Sequence, residues 1–416
     1  MTLNALRFKM DTLRFLDERT AAGDTFFELQ SRPERRLLVW QPEGLAEIFR
    51  SEHRMRLASS STVEPLSGHH SLLFANGPRH TAYRKVIGAR LRGRPLAACR
   101  DTIRQEAEAA LEDVRPGSVV NLPEWSRALA LRIISRVLFG HVDHELLTTF
   151  TRWLDSALGT RSRMLAYRYL RLPPAVPTPW RTFQRRRADL CDRVLRAAPH
   201  ATDGSLTAVL RDGEPPLGAL GDDDLTDQVL SLLFAGHETT ASAMTSALYW
   251  LGRHPDVLAD VRAELAATSA DGAVAEDVPL LDAVCREVLR ISPPAMIAGN
   301  RVLTEDMDIL GHRAAAGTRL TPCIYAAHRQ TDLYPDPLRF DPGRFLGQRT
   351  QAQRYLPFGG GTRRCLGADF ASMEMRMVLA AVLRTRDVRV LSPHKATFAL
   401  RGQVLCFGPT LLATVG

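Results

Sequence analysis

The chain has 416 residues, 45% of them hydrophobic and 24% charged, the balance of a globular protein able to bury a large core. Lysine and arginine exceed aspartate and glutamate by 54 to 46, a formal net charge of +8. The arginines are dispersed, with no zinc finger or aromatic-plus-basic module beside them, so an acidic protein partner accounts for the charge and no nucleic acid is expected. Six cysteines (Cys99, Cys191, Cys285, Cys323, Cys365 and Cys406) lie far apart with no paired spacing. That argues against a disulfide framework and for a reducing, cytoplasmic location. From Met1 to Arg19 apolar and charged residues alternate, with no apolar run long enough for a signal or a membrane anchor.

In chain order, residues 1–75 read as mixed. A β-prone run spans Arg36–Trp40, a helix is predicted over Pro42–Glu52, and Ser59–His70 is polar and turn-rich, predicting a mobile loop. Gly77-Pro78 opens a helical pattern over Asn76–Arg100, and long helices continue to about Leu195. The exception is Leu172–Trp180, whose four prolines force a bend. The basic run Gln184–Arg187 then resumes helical spacing and reads as a solvated helix face.

The clearest helix comes next. Asp222, Asp223 and Asp224 supply an N-cap and an acidic first turn, and an apolar face continues to about Gly252. Helices are predicted through Leu265 and over Val278–Arg290, ending at Pro293-Pro294. Short β-like runs occupy Val302–Ile324, with a turn at Ala314–Gly317, and Phe398–Val415 reads as a C-terminal hairpin region. Without βαβ alternation, the prediction is one mainly α domain over residues 1–416 with small β-sheets and a long central helix.

The most unusual stretch is Phe358-Gly-Gly-Gly-Thr-Arg-Arg-Cys365-Leu-Gly367. Glycines allow close backbone approach, and a helix starting just after Cys365 would favour its thiolate. Arg363 could hold an anionic group on the same ligand. By itself the cysteine reads equally as a small buried hydrophobe. A phosphate loop fits poorly, because no Gly-Lys-Ser/Thr follows, and zinc lacks a second nearby Cys or His. The second unusual stretch is Ala235-Gly-His-Glu-Thr-Thr240, which sets a glycine, an acid and two hydroxyls in mid-helix. The plain explanation is a kink with threonine back-bonding. The third is Glu287-Val-Leu-Arg290, a charge pair three apart on one helix face, followed by Phe340-Asp-Pro-Gly-Arg344-Phe345.

Together these stretches resemble the cytochrome P-450 family. Phe358, Gly361, Arg363, Cys365 and Gly367 match its haem-binding loop, and Ala235–Thr240 matches its oxygen-activating motif. The resemblance covers roughly Asn76 to the C-terminus and implies the family's fold, with the long helix over the haem. It implies haem b (iron protoporphyrin IX) ligated by Cys365, with Phe358, Gly359, Gly367, Ala235 and Gly236 against it. Gly236 would make room for oxygen, and Glu238 and Thr239 would deliver protons, with no catalytic role for His237. His80, Arg84, Arg301 and Arg363 would anchor the propionates; the tryptophan usual near His80 is missing. Arg344 would join Glu287 and Arg290 in a structural charge cluster, although Gly343 replaces the usual acidic residue. Leu232, Ala235, Ala295, Met296, Ile297, Ala298 and Phe398 would line the substrate pocket, in regions that include Ser59–Leu73, Leu158–Trp180 and Thr397–Ala399.

The resemblance also implies a soluble, bacterial-type monomeric monooxygenase without a membrane anchor, taking electrons from ferredoxin and ferredoxin reductase. It would hydroxylate or epoxidise a hydrophobic small molecule, a terpenoid or polyketide of secondary metabolism. Fatty-acid hydroxylation, and a haem-thiolate protein that binds or rearranges a ligand without net oxygenation, are the alternatives.

Overall fold

The computed structural model describes residues 2–24, 26–58, 60, 62–170, 178–268, 278–347, 354–408 and 411–416. The fold is mainly helical with small sheets, and it divides into two compact units, Met1–Ala58 with Tyr249–Ala368 and Ser59–Leu248 with Asp369–Gly416. Among the described residues no helix is long and apolar enough to cross a membrane. The expected bend at Leu172–Trp180 lies outside the described residues for 171–177.

The first unit is built on a five-stranded sheet in the order Phe26–Gln30, Arg36–Val39, Arg319–Pro322, Arg301–Leu303, Met55–Leu57. Leu37, Leu38, Val39 and Trp40 are all buried, which is why this run reads as continuous β-prone hydrophobic sequence. Its parallel partner sets Leu37 opposite Leu320. The helix Pro42–Arg50 follows at once, with proline in its first turn, where the missing N–H costs nothing. The strands Met307–Ile309 and His312–Ala314 turn through Leu310 and Gly311, both at positive φ. The helix Pro279–Ile291 buries Val284 and Val288 on its core face, and with them Glu287 and Arg290.

The second unit is a bundle. Its helices include Gly77–Arg90, Gly93–Glu112, Leu122–Phe139, His144–Leu158 and Pro179–Ala197, together with most of the long helix Asp222–Arg253. Trp153, Phe183, Trp180 and Tyr167 interlock as an aromatic cluster, with Trp153 and Trp180 each stacked on Phe183. Glu106, buried on Gly93–Glu112, takes Arg132 at 2.6 Å and also Arg136 from Leu122–Phe139, tying the two helices by a satisfied buried charge.

Several expectations need correction. Asn76–Arg100 is not one helical run: it breaks at Leu91 and Arg92, where Gly93 takes φ 57°. The helical stretch up to Leu195 is interrupted by the strand Ser118–Asn121, and Phe398–Val415 is not one hairpin region. Phe398–Arg401 pairs with Val404–Phe407, whereas Leu412–Val415 lies between Ser118–Asn121 and Val388–Val390. Ser59–His70 contains the short helix Glu64–Ser67. The chain after it is fastened to the long helix: Asp227 accepts the His70 N–H at 2.9 Å and Gln228 the Leu72 N–H at 2.8 Å. The long helix begins at Asp222, so all three aspartates sit in its first turn.

Candidate active site

In the first unit the cysteine loop is shaped by close backbone approach. Gly359 and Gly361 take φ 68° and 67°, the left-handed region where a Cβ is strained. A Cβ on Gly360 would meet the Phe49 ring at 2.6 Å, and one on Gly361 would run into the Glu52 carboxylate. The Cys365 N–H donates to the Phe358 carbonyl at 2.9 Å, closing the loop, and the helix Ala368–Thr385 starts three residues later. Cys365 is the one exposed cysteine. Burial pushes the thiols of Cys323 and Cys406 up to about 12 and 11, and also raises those of Cys99 and Cys191. A raised thiol is a poor thiolate, so none of those four is favoured as a ligand.

A run of hydrogen bonds stands behind this loop. Arg290 and Glu287, both fully buried, pair through two bonds of 2.7 and 2.8 Å. The Arg290 guanidinium also donates to the carbonyls of His328 and Pro337, each at 2.8 Å, and Glu287 accepts the Asp341 N–H at 2.9 Å. Arg344 Nε stands 3.6 Å from Glu287, so the predicted three-residue cluster is assembled. The His328 ring then accepts the Leu356 N–H at 2.9 Å, and the Leu356 carbonyl accepts the Gly359 N–H at 2.9 Å. Burial and then the charges of Arg290 and Arg329 hold His328 neutral, down at about 3. Sequence reasoning missed His328, because nothing local marks one histidine in Ala326-Ala327-His328-Arg329 as an acceptor for a segment 28 residues on.

Arg301 is buried, but its guanidinium is committed within the protein. Glu52 accepts from its Nη2 at 2.6 Å and its Nε at 3.2 Å, while Nη1 donates to the carbonyls of Ala298 and Gly299. The same Glu52 accepts the Thr362 N–H at 2.5 Å and its hydroxyl at 2.6 Å. Glu52, unmarked in the sequence, therefore bridges Arg301 to the cysteine loop. Met296 is buried, and Ala295, Ile297 and Ala298 are half-buried.

In the second unit the long helix carries Leu232, Ala235, Gly236, Glu238 and Thr239. A Cβ on Gly236 would meet Ile134 of Leu122–Phe139 at 2.9 Å, so close helix packing already requires the glycine. The Thr239 hydroxyl donates to the Ala235 carbonyl at 2.7 Å, the back-bond expected of a mid-helix threonine. Glu238 is buried, and two groups grip its Oε1: Arg401 Nε at 3.0 Å and His237 Nε2 at 3.2 Å. Burial alone would raise its pKa; the His237 hydrogen bond and charge, then Arg401 and Arg127, outweigh that and bring it down to about 2. Arg401 ends the strand Phe398–Arg401, whose first residue, Phe398, packs on Phe407 at 4.3 Å between ring centroids. His80 is buried and Arg84 half-buried, one turn apart on Gly77–Arg90.

The residues fit a haem. Among the described residues no group of three His, Cys, Asp or Glu could hold a bare metal ion. A lone exposed thiol in a tight glycine loop suits a metal that brings its other ligands in a macrocycle. A mainly helical fold with a single exposed cysteine on such a loop is what a haem-thiolate protein requires. Comparison with known proteins agrees. The Cytochrome P-450 family model matches residues 2–407. Over 388 residues the chain is 30% identical to cyclooctat-9-en-7-ol 5-monooxygenase of Streptomyces melanosporofaciens, covering 89% of this chain and 83% of that one. It is 44% identical over 199 residues to cytochrome P-450 135B1 of Mycobacterium tuberculosis, a match spanning 47% of this chain and only 41% of that relative. The solved structure of retinoic acid-bound cyanobacterial CYP120A1 shares the fold, with a TM-score of 0.87 at 24% identity over 98% of this chain and 96% of that one. The chain belongs to the cytochrome P-450 family, and membership implies a haem cofactor.

Proposed function

We propose that this chain is a haem-thiolate monooxygenase acting as one catalytic domain on a hydrophobic small molecule, a terpenoid or polyketide. The observation that carries this is Cys365: the one exposed thiol, on a glycine loop braced by the buried Glu287–Arg290 pair. Haem b, ligated there by the Cys365 thiolate, supplies the redox chemistry that places one oxygen atom of O2 on the substrate.

The chain's own residues do the rest. Phe358, Gly359 and Gly367 would hold the ring on the cysteine side, and Ala235 and Gly236 of the long helix would leave room for it. His80, Arg84 and Arg363 would neutralise the propionates, and Arg301 would do so only on leaving Glu52. Glu238 and Thr239 would hold and relay protons there, which an apolar pocket closed to bulk water would require. Ala295, Met296, Ile297, Ala298, Leu232 and Phe398 would offer the substrate apolar surfaces. The named activity of the Streptomyces relative supports a terpenoid-like substrate. The net charge of +8 suits an acidic ferredoxin, fed by its reductase, as electron donor in the cytoplasm.

The test is oxygen incorporation. A spectral screen of hydrophobic natural products identifies a ligand, which is then turned over with NADPH, surrogate ferredoxin and reductase under isotopically labelled O2. One labelled oxygen in the product supports the reading. A bound ligand that leaves unchanged, or rearranges without label, overturns it.

A further inference from the structure

His328 fastens the cysteine loop where the chain enters it, at Leu356, and a different side chain fastens it near the exit. Glu52 lies in the turn Glu52–Arg54, between the helix Pro42–Arg50 and the strand Met55–Leu57. Its Oε2 accepts the N–H and the hydroxyl of Thr362, at 2.5 and 2.6 Å. Its Oε1 accepts from Nη2 and Nε of Arg301, at 2.6 and 3.2 Å. A carboxylate offers about four lone-pair sites, so Glu52 is saturated by these two residues. Phe49, three residues earlier, joins the same contact. Its ring lies where a Cβ on Gly360 would come within 2.6 Å, and the Arg301 guanidinium sits over that ring, 5.8 Å from its centroid.

The sheet keeps Arg301 in place for this. Its backbone pairs with Leu57 on one side and with Leu320 on the other. Nη1 is taken up by the carbonyls of Ala298 and Gly299, which leaves Nη2 and Nε directed at Glu52. The Arg301 and Glu52 side chains are 3% and 7% exposed. In so dry a place one guanidinium and one carboxylate balance. A second carboxylate on Arg301 would leave excess negative charge there, and withdrawing Arg301 would strand Glu52.

We propose that Glu52 is a positioning residue for the Cys365 thiolate, acting through Thr362, and that Arg301 stays with Glu52 as its counter-charge instead of serving a haem propionate. This rests on the haem-thiolate reading of Cys365. Thr362 is the middle residue of the turn Gly361–Arg363, and Cys365 follows with its N–H on the Phe358 carbonyl at 2.9 Å. With Thr362 pinned, the turn holds the sulfur at one height, as outer groups fix the ligands of other metal sites. The Glu52–Arg301 pair is neutral as a whole, so it braces the loop while adding little field of its own. Glu52→Gln keeps the shape, removes one negative charge and leaves the Arg301 charge unmatched beside the loop.

The first arm of the test needs no haem chemistry. It is a double-mutant cycle of Glu52→Gln and Thr362→Val, read by thermal melts of the purified full-length protein. Thr362→Val keeps the branched shape and loses only the hydroxyl. It should cost less stability once Glu52 is replaced; additive costs overturn the clamp. The second arm uses the holoprotein. Glu52→Gln should shift the haem reduction potential upward and lower the share of the reduced carbon monoxide complex that shows the thiolate-type Soret band. Thr362→Val, at an exposed position, is the milder variant and should lower that share in the same direction. A wild-type potential in Glu52→Gln, or a full thiolate band in both variants, overturns the positioning role. The double variant Glu52→Gln with Arg301→Gln strands neither charge. Its propionate bending bands in the resonance Raman spectrum should lie where the wild type's do, and displaced bands would assign Arg301 to a propionate after all. A wild type without a thiolate-type band counts against the haem-thiolate reading, while the cycle still decides the clamp.

Discussion

His328 Nε2 accepts the backbone N–H of Leu356 at 2.9 Å, and this bond joins the buried charge cluster to the cysteine loop. It exists only while the ring is neutral. The folded pKa is about 3 against an ordinary 6.5, so between those values the unfolded chain binds the extra proton and the folded one does not. His328 thus contributes stability that is present above 6.5 and lost as pH falls toward 3. His328→Phe should cost about 1–3 kcal/mol by orphaning the Leu356 N–H and should flatten the acid limb of the stability profile. Denaturant melts at neutral pH and in that acid window check it; an unaltered slope would refute the assignment.

The Glu287–Arg290 pair is fully buried, so removing one partner strands a charge. Glu287→Gln should cost about 3–5 kcal/mol and reduce the yield of haem-loaded protein. Glu18, partly exposed between Arg7 and Arg14, is the control: Glu18→Gln should cost no more than about 1 kcal/mol. Equal costs at the two sites would show that burial is not what matters.

Gly236 separates two explanations of one residue. Helix propensity alone predicts that Gly236→Ala stabilises by about 1 kcal/mol. Contact with Ile134 predicts the reverse, a loss of about 1–3 kcal/mol. Ile134→Ala in the same chain should then recover much of that loss, a coupling readable from a double-mutant cycle of thermal melts. Additive effects would mean that packing does not explain the glycine.

Cys365 should be the thiolate ligand. The reduced carbon monoxide complex should show the red-shifted Soret band of thiolate ligation, and Cys365→His should abolish it. Cys191→Ala, at a half-buried thiol, should leave the band in place. A histidine-type spectrum from wild type would refute the ligand assignment.

Thr239→Ala removes a hydroxyl whose own proton is already given to the Ala235 carbonyl, leaving its oxygen lone pairs as the lost function. Haem content and substrate affinity should hold while a larger share of consumed NADPH appears as hydrogen peroxide. Product and peroxide per NADPH measure this. Unchanged coupling would place the proton path elsewhere.

The sequence by itself determined what is local. The glycine loop ending at Cys365, the i, i+3 pair Glu287 and Arg290, the acidic first turn of Asp222–Arg253 and the buried β-run at Arg36–Trp40 all declare themselves within a few residues, because spacing along a helix or turn sets their geometry. The tertiary structure decided the pairings over long separations. Ser118–Asn121 is a four-residue strand with no pattern of its own, made a strand by Leu412–Val415. Glu52 reaches Arg301 across 249 residues, and Arg401 reaches Glu238 across 163. A side chain's sequence neighbours do not specify its buried partner: burial demands that each charge find one, but only the fold settles which. That is why Glu238 was recognisable from its motif, while Arg401, which holds it, was not.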